Sequence, residues 1–187
     1  MAALTSGVWP LNSAVRQPQR GALTSIRSLD LHEVSLHREV RLRALRESPD
    51  SFGETATEAE AQPHSYWEDL TQSVTAPDRH TLFLACEGNA VCGSTYGLLD
   101  RERKDTGRIG GLWVDPSRRR QGVGRALLQA VVSWARQRRL KRLALWTPAA
   151  NAGAINLYRG AGFVDTGRQR PLRTGAELRI IEMECSL

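Results

Sequence analysis

One stretch constrains this chain more than any other: residues 112–142, reading LWVDPSRRRQGVGRALLQAVVSWARQRRLKR. The end of an apolar strand runs into an Asp-Pro turn, then an Arg- and Gly-rich loop, then an amphipathic helix. A strand that feeds a glycine loop at a helix N-terminus is a seat for phosphate. The N–H groups of the first helical turn have no intrahelical partner there, and the helix dipole favours an anion. The charge distribution agrees. Residues 118–142 hold eight Arg, one Lys and no acid, a local +9 against +6 for the whole 187-residue chain, so the remainder is net −3. Basicity concentrated in one loop and helix favours a compact anionic ligand over a broad polyanion face, which makes nucleic acid the weaker reading.

The apolar content of 41% and charged content of 25% are those of a soluble globular protein of one domain, expected over residues 23–187. No apolar run approaches the roughly 18 residues of a membrane span, so no membrane partner is expected. Residues 1–22 lack both a signal-peptide core and a helical period, and are expected to be a flexible tail. Three cysteines, Cys86, Cys92 and Cys185, show no CxxC and no metal-ligand spacing. This fits a reduced cytoplasmic protein without a metal site.

Residues 24–29 alternate as a short first strand, and helical spacing follows over 31–46 until Ser48-Pro49-Asp50 stops it. Residues 54–62 read as loop or weak helix, and 65–73 as a second helix. Two strands, 81–87 and 91–99, flank the hairpin signal Glu87-Gly88-Asn89. Gly93 and Gly97 inside the second strand point to a bulge or a close backbone approach. A strand over 107–114 leads to the loop and to a helix with Val123, Leu127, Ala130, Val131 and Trp134 on its apolar face. A strand (142–147), a short helix (152–159) and two strands (163–166 and 177–185) complete the chain. The order β-α-α-β-β-β-α-β-α-β-β implies an α/β (α+β) domain with a mixed, mostly antiparallel central sheet flanked by helices.

Three phosphate loops compete. A P-loop needs Lys-Ser/Thr after its last glycine, and none follows Gly122. A dinucleotide fingerprint needs a third small residue where Leu127 stands, and an acid about 20 residues on, where Leu143-Ala144-Leu145-Trp146 stand instead. The Arg/Gln-x-x-Gly-x-Gly/Ala pyrophosphate loop is matched in full by Arg119-Arg120-Gln121-Gly122-Val123-Gly124. Here the sequence resembles the GCN5-related N-acetyltransferases. Leu112-Trp113-Val114-Asp115-Pro116 is similar to that family's xVxPxxR lead-in, and Asn151 through Phe163 to its NxxAxxLYxxxGF signature. Arg43-Ala44-Leu45-Arg46-Glu47-Ser48-Pro49 with Phe52-Gly53 resembles its early helix region.

The resemblance implies acetyl-CoA as cosubstrate, no metal, and a primary amine of a small molecule, peptide or protein as acceptor. Gly122 and Gly124 let the backbone close around a pyrophosphate. Gln121, Val123, Arg125 and Ala126 would donate backbone N–H groups, and Arg119 and Arg120 charged contacts. The strand holding Leu112, Trp113 and Val114 would splay from its neighbour and hold the pantetheine arm through its main chain. Asn151 caps a helix or touches the cofactor. Tyr158 is either a core aromatic or, by resemblance, the acid that protonates the departing thiolate.

The general base is open. Many members carry Glu on the strand that here reads Gly110-Gly111; Glu87, His80, Asp100 and Glu102 are nearby candidates, beside a water relay or uptake of neutral amine. The acceptor is expected over the two N-terminal helices and the loop 168–176. Glu54, Glu58, Glu60, Glu68 and Asp69 either attract an amine or form a solvated face. A non-catalytic CoA-binding domain and a nucleic-acid binder are the alternative functions, and a homodimer is compatible with the sequence.

Overall fold

The structure is a computed structural model describing residues 24–187; the tail expected over residues 1–22 lies outside the described residues. The strands are β1 (Ser25–Ser28), β2 (His80–Glu87), β3 (Ala90–Leu99), β4 (Thr106–Val114), β5 (Arg142–Pro148), β6 (Val164–Pro171) and β7 (Arg179–Ser186). The helices are α1 (Val34–Glu47), α2 (Ala56–Glu60), α3 (His64–Val74), α4 (Val123–Gln137) and α5 (Ala152–Arg159). The sheet runs β1-β2-β3-β4-β5-β7-β6. Every neighbouring pair is antiparallel except β4 with β5, which the α4 crossover makes parallel.

Strand alternation divides the core into two layers. Leu82 and Leu84 of β2 pack with Val40 and Leu45 of α1 and Trp67 of α3. Leu143 and Leu145 of β5 and Met183 of β7 pack on the other face with Leu128, Val131 and Trp134 of α4 and Tyr158 of α5. The α1/α3 layer contains no residue of β5, β6 or β7.

Three details differ from the expected elements. Residues 56–60 form a short helix, nucleated by a capping box in which Thr55 and Glu58 satisfy each other's backbone N–H. β6 runs to Pro171, well past residue 166, and the loop shortens to 172–178. All of β6 is exposed, and a strand with neither face buried carries no apolar alternation to read. On α4 the buried face includes Leu128 and Ala135, while Ala130 is half-buried.

Candidate active site

β4 and β5 pair only from Thr106–Arg142 to Ile109–Leu145, yet β4 continues to Val114 and β5 to Pro148. The two strands therefore diverge in the middle of the sheet. The cause lies on the β3 side. Tyr96 faces Gly110 and Ser94 faces Trp113, so three steps on β4 match two on β3, a bulge that turns β4 away from β5. Gly111 takes the extra step at φ +59, where a side chain is strained, and a Cβ there would stand 2.9 Å from the Tyr96 ring. Thr95 Oγ1 fixes the bulge by donating to the Gly110 carbonyl (3.1 Å).

The loop after β4 delivers the chain to α4. Asp115 anchors it, accepting from Ser117 N–H (3.0 Å) and pairing with Arg43 (2.9 Å). The Ser117 hydrogen bonds, then Arg43, hold its carboxyl below the usual range. Gly122 is the N-cap of α4 at φ +88, with no side-chain cap. Among the described residues, the N–H groups of Gln121, Gly122, Val123, Gly124 and Arg125 have no protein partner. These donors sit at the positive end of a 15-residue helix. Arg120, at φ +64, and Arg125 are exposed beside them. Gly124 approaches α5: a Cβ there would meet Leu157 at 3.2 Å.

The geometry gives the other expected contributors partners within the protein. The Ala126 N–H bonds Gly122 O (3.0 Å), because it is the first intrahelical bond of α4, so it is not a spare donor. The Arg119 side chain turns back to Val114 O (3.0 Å) and Glu47 (2.5 Å). Trp113 points into the α1/α3 layer, is 3% exposed, and gives its indole N–H to Glu47 (3.1 Å), so only its main chain can face the divergence. The Gln121 amide bonds Ser117 O (2.9 Å). Asn151 is a helix cap, its Oδ1 accepting from Ala154 N–H (3.0 Å).

Tyr158 is buried in the α4/α5 layer beside Phe163, and its hydroxyl has no hydrogen-bond partner among the described residues. Burial pushes the phenol far up, so it stays protonated at any working pH.

On the opposite face, a cavity of about 280 Å³ lies between α1, α3 and β2–β4. His37, Glu54, Tyr66, His80, Tyr96 and Gly111 line it. The ring of Tyr96 fills the space over Gly110, where a Cβ would stand 2.2 Å from its hydroxyl oxygen. Here the β4 side chain is absent and a β3 tyrosine takes its place. His37, which sequence reasoning missed, is held by Thr71 (2.9 Å) and kept neutral, its pKa lowered to about 4 by burial and by Arg41.

Of the four base candidates, His80 lines this cavity, its Nδ1 2.8 Å from Ser73 O. Asp100 and Glu102 lie at the far, Thr106 end of β4. Burial works to raise the Asp100 pKa, but the N–H groups of Glu102 and Arg103 and the Arg108 guanidinium outweigh it, and the carboxyl sits below the usual range. Glu87 pairs with Arg118 (2.7 Å).

The family model for the Acetyltransferase (GNAT) family matches residues 42–163, from α1 through the end of α5. The chain belongs to the GNAT acetyltransferase family. It is 34% identical over 111 residues to an aminoglycoside N(6')-acetyltransferase type 1 of Stenotrophomonas maltophilia, covering 54% of this chain and 70% of that protein. It is 30% identical over 128 residues to the [ribosomal protein bS18]-alanine N-acetyltransferase of Escherichia coli, covering 65% and 83%. It spans only 33% of an uncharacterized N-acetyltransferase of Methanocaldococcus jannaschii and 50% of N-acetyltransferase 8B of Rattus norvegicus. A GNAT-family acetyltransferase from Streptococcus pneumoniae shares the fold at TM-score 0.74 and 19% identity, over 88% of this chain and 99% of that one. A GNAT phosphinothricin acetyltransferase from Sinorhizobium meliloti, solved with acetyl-CoA, superposes at TM-score 0.71 and 18% identity, over 88% of each chain. Among the described residues, no helix is long and apolar enough to cross a membrane.

Proposed function

We propose that this GNAT chain acetylates a primary amine by direct attack on acetyl-CoA. The observation that carries the reading is the meeting, at one end of the sheet, of the unbonded N–H groups at the start of α4 with the divergence of β4 from β5. The residues present fit the cosubstrate. Gly122 at φ +88 exposes consecutive main-chain donors suited to a pyrophosphate, with Arg120 and Arg125 alongside. The unpaired edge of residues 110–114 suits the amide groups of a pantetheine arm, which would lie there as a strand does.

Acetyl-CoA supplies an acetyl thioester. The amine nitrogen bonds to the thioester carbon, and main-chain N–H groups of the 110–114 edge meet the charge that develops on the carbonyl oxygen. The C–S bond breaks, and the Tyr158 hydroxyl gives its proton to the thiolate and takes one back from solvent once coenzyme A has left. The proton lost by the amine leaves through the helix-side cavity, by His80 or water, or the amine arrives neutral. Three buried, unpaired cysteines suit a reducing compartment such as the cytoplasm.

Calorimetric titration with acetyl-CoA, paired with thiol release across an amine panel and mass-spectrometric readout, tests this. Expected are binding to the wild type, loss of binding in Gly124→Glu, and thiol release with at least one amine. No binding, or binding unchanged by Gly124→Glu, overturns the assignment of the loop. Binding without release for any amine favours a non-catalytic CoA-binding domain, a reading that rests on Tyr96 standing where a β4 carboxylate would be.

A further inference from the structure

Granted acetyl transfer at the divergence, the activity proposed above, the charges around its mouth select the amine. The acidic segment after α1 is partly neutralised by arginines of α1. Glu54 pairs with Arg41 (2.9 Å), Glu60 with Arg46 (2.7 Å), and Glu68 lies 3.5 Å from His64. Glu58 is bound by Thr55 in the cap of α2 and lies within reach of the Arg173 charge, so a ligand carboxylate competes with it there. Among the described residues, that leaves Glu68, beside a histidine, and Asp69 as the carboxylates of the segment that no arginine holds.

The other side of the mouth has the opposite character. Leu143 and Leu145 face α4 and α5, so alternation puts Trp146 on the opposite face, at the first β5 position beyond the last β4–β5 pair. Two guanidinium groups of β6 lie over its ring, Arg168 at 5.9 Å and Arg170 at 4.6 Å. Arg168 pairs with the buried Glu182 (3.2 Å), a carboxylate that Arg103 and Arg108 also share. Arg170 meets no carboxylate within ion-pair distance among the described residues.

The turn that follows adds Arg173. Its Nη1 is shut off from water and has no hydrogen-bond partner among the described residues. A buried donor left so is destabilising, and a side chain that turns outward to a carboxylate, pairing through its guanidinium fork, relieves it. The turn closes on the segment after α1: a Cβ at Gly53, the neighbour of cavity-lining Glu54, would stand 3.5 Å from Leu172 O. Arg179 starts β7 opposite Pro171 at the same end, and Glu177 is the one acid between Arg170 and Arg179.

We propose that the acceptor is a small primary amine carrying its own carboxylate, an amino-acid-like zwitterion, and that Arg173, seconded by Arg170, receives the carboxylate while the amine faces the thioester. A charged carboxylate is attracted to this end of the sheet, and a polyamine is repelled from it.

The test is thiol release from acetyl-CoA with matched acceptors: leucine, phenylalanine and methionine, their carboxamides, their decarboxylated amines, and dipeptides with the same N-terminal residue. Spermidine completes the panel. For the best side chain, the free acid should exceed its carboxamide, amine and dipeptide at least tenfold in kcat/KM. Arg173→Gln should raise KM for the free acid about tenfold and pull the acid-to-amide ratio toward one, with KM for acetyl-CoA within about twofold. Arg173→Lys should restore part of the ratio, and thermal melts confirm that both variants fold. Carboxamides, dipeptides or spermidine used as well as free acids overturn the inference alone, as does an Arg173→Gln ratio equal to wild type. Silence with every amine overturns it together with the transfer reading.

Discussion

Replacing Gly93 by alanine tests whether the phosphate seat is held in place by the sheet beneath it. Gly93 sits on β3 opposite Val114, on the face against α4. A methyl group there would stand 2.9 Å from Trp113 O, 3.1 Å from Leu127 Cδ1 and 3.3 Å from Val123 Cγ1. The carbonyl belongs to the β4 main chain and cannot rotate aside, unlike a side-chain tip. Either β4 shifts toward the divergence or α4 lifts at its first turn. Reduced freedom of the unfolded chain would stabilise the alanine variant by about 0.4–1 kcal/mol. Overpacking costs about 1–3 kcal/mol, so the net change is destabilising. At roughly 2–4 °C per kcal/mol for a chain of this size, Tm should fall by several degrees. Because Val123 carries one of the unbonded N–H groups, acetyl-CoA affinity should fall with it. Differential scanning calorimetry and acetyl-CoA titration on the same samples read both quantities. An unchanged Tm with unchanged affinity would refute the claim that this glycine sets the spacing between sheet and helix.

Tyr158→Phe should lower kcat on the order of 10²-fold, the low end for a positioned acid, while calorimetric affinity for acetyl-CoA changes little; an equal rate removes the hydroxyl from the chemistry. His37, neutral in the fold with a pKa near 4 against 6.5 for a free histidine, takes up its proton mainly on unfolding. Its contribution is therefore complete above pH 6.5 and is lost as pH falls from 6.5 to 4, on the order of 3 kcal/mol in all. Urea midpoints between pH 7.5 and 4.5 should show that slope in the wild type and a flatter one in His37→Asn. Glu47→Ala leaves the buried Trp113 N–H and the Arg119 guanidinium without their shared acceptor. It should cost about 1–3 kcal/mol by chemical denaturation, and a smaller loss than about 0.5 kcal/mol would dismiss Glu47 as the tie between α1 and β4.

What could be read from the sequence follows from which signals are local. The α4 N-terminus was legible because glycine spacing and Arg density are written in consecutive residues, and the close approaches at Gly93 and Gly97 because a glycine inside a strand has few other causes. The resemblance led to the divergence of β4 and β5, and the register of the sheet shows it. Tyr96 was invisible because its role depends on facing Gly110 across a bulge, a relation of pairing register rather than of spacing. Arg119 was assigned to phosphate by its position in the motif, whereas Glu47, 72 residues earlier, takes its side chain. β6 hid its last residues because an exposed edge strand buries nothing. Trp146 and Arg170 come together only when β6 folds back on β7 beside β5.

The divergence also bears on how long the protein survives. Only four residue pairs join β4 to β5, so the sheet behaves as two leaves hinged along that short parallel seam. Any ligand that lies between the leaves links them as a further strand would, and its binding adds directly to folding stability, by about 2.7 kcal/mol at a hundred times its Kd. Hydrogen exchange at residues 110–114 and 146–147 should slow with acetyl-CoA far more than exchange within β2 or β3. Resistance to proteolysis would then rise and fall with the supply of acyl donor, so that the fold itself registers whether there is an acetyl group to transfer.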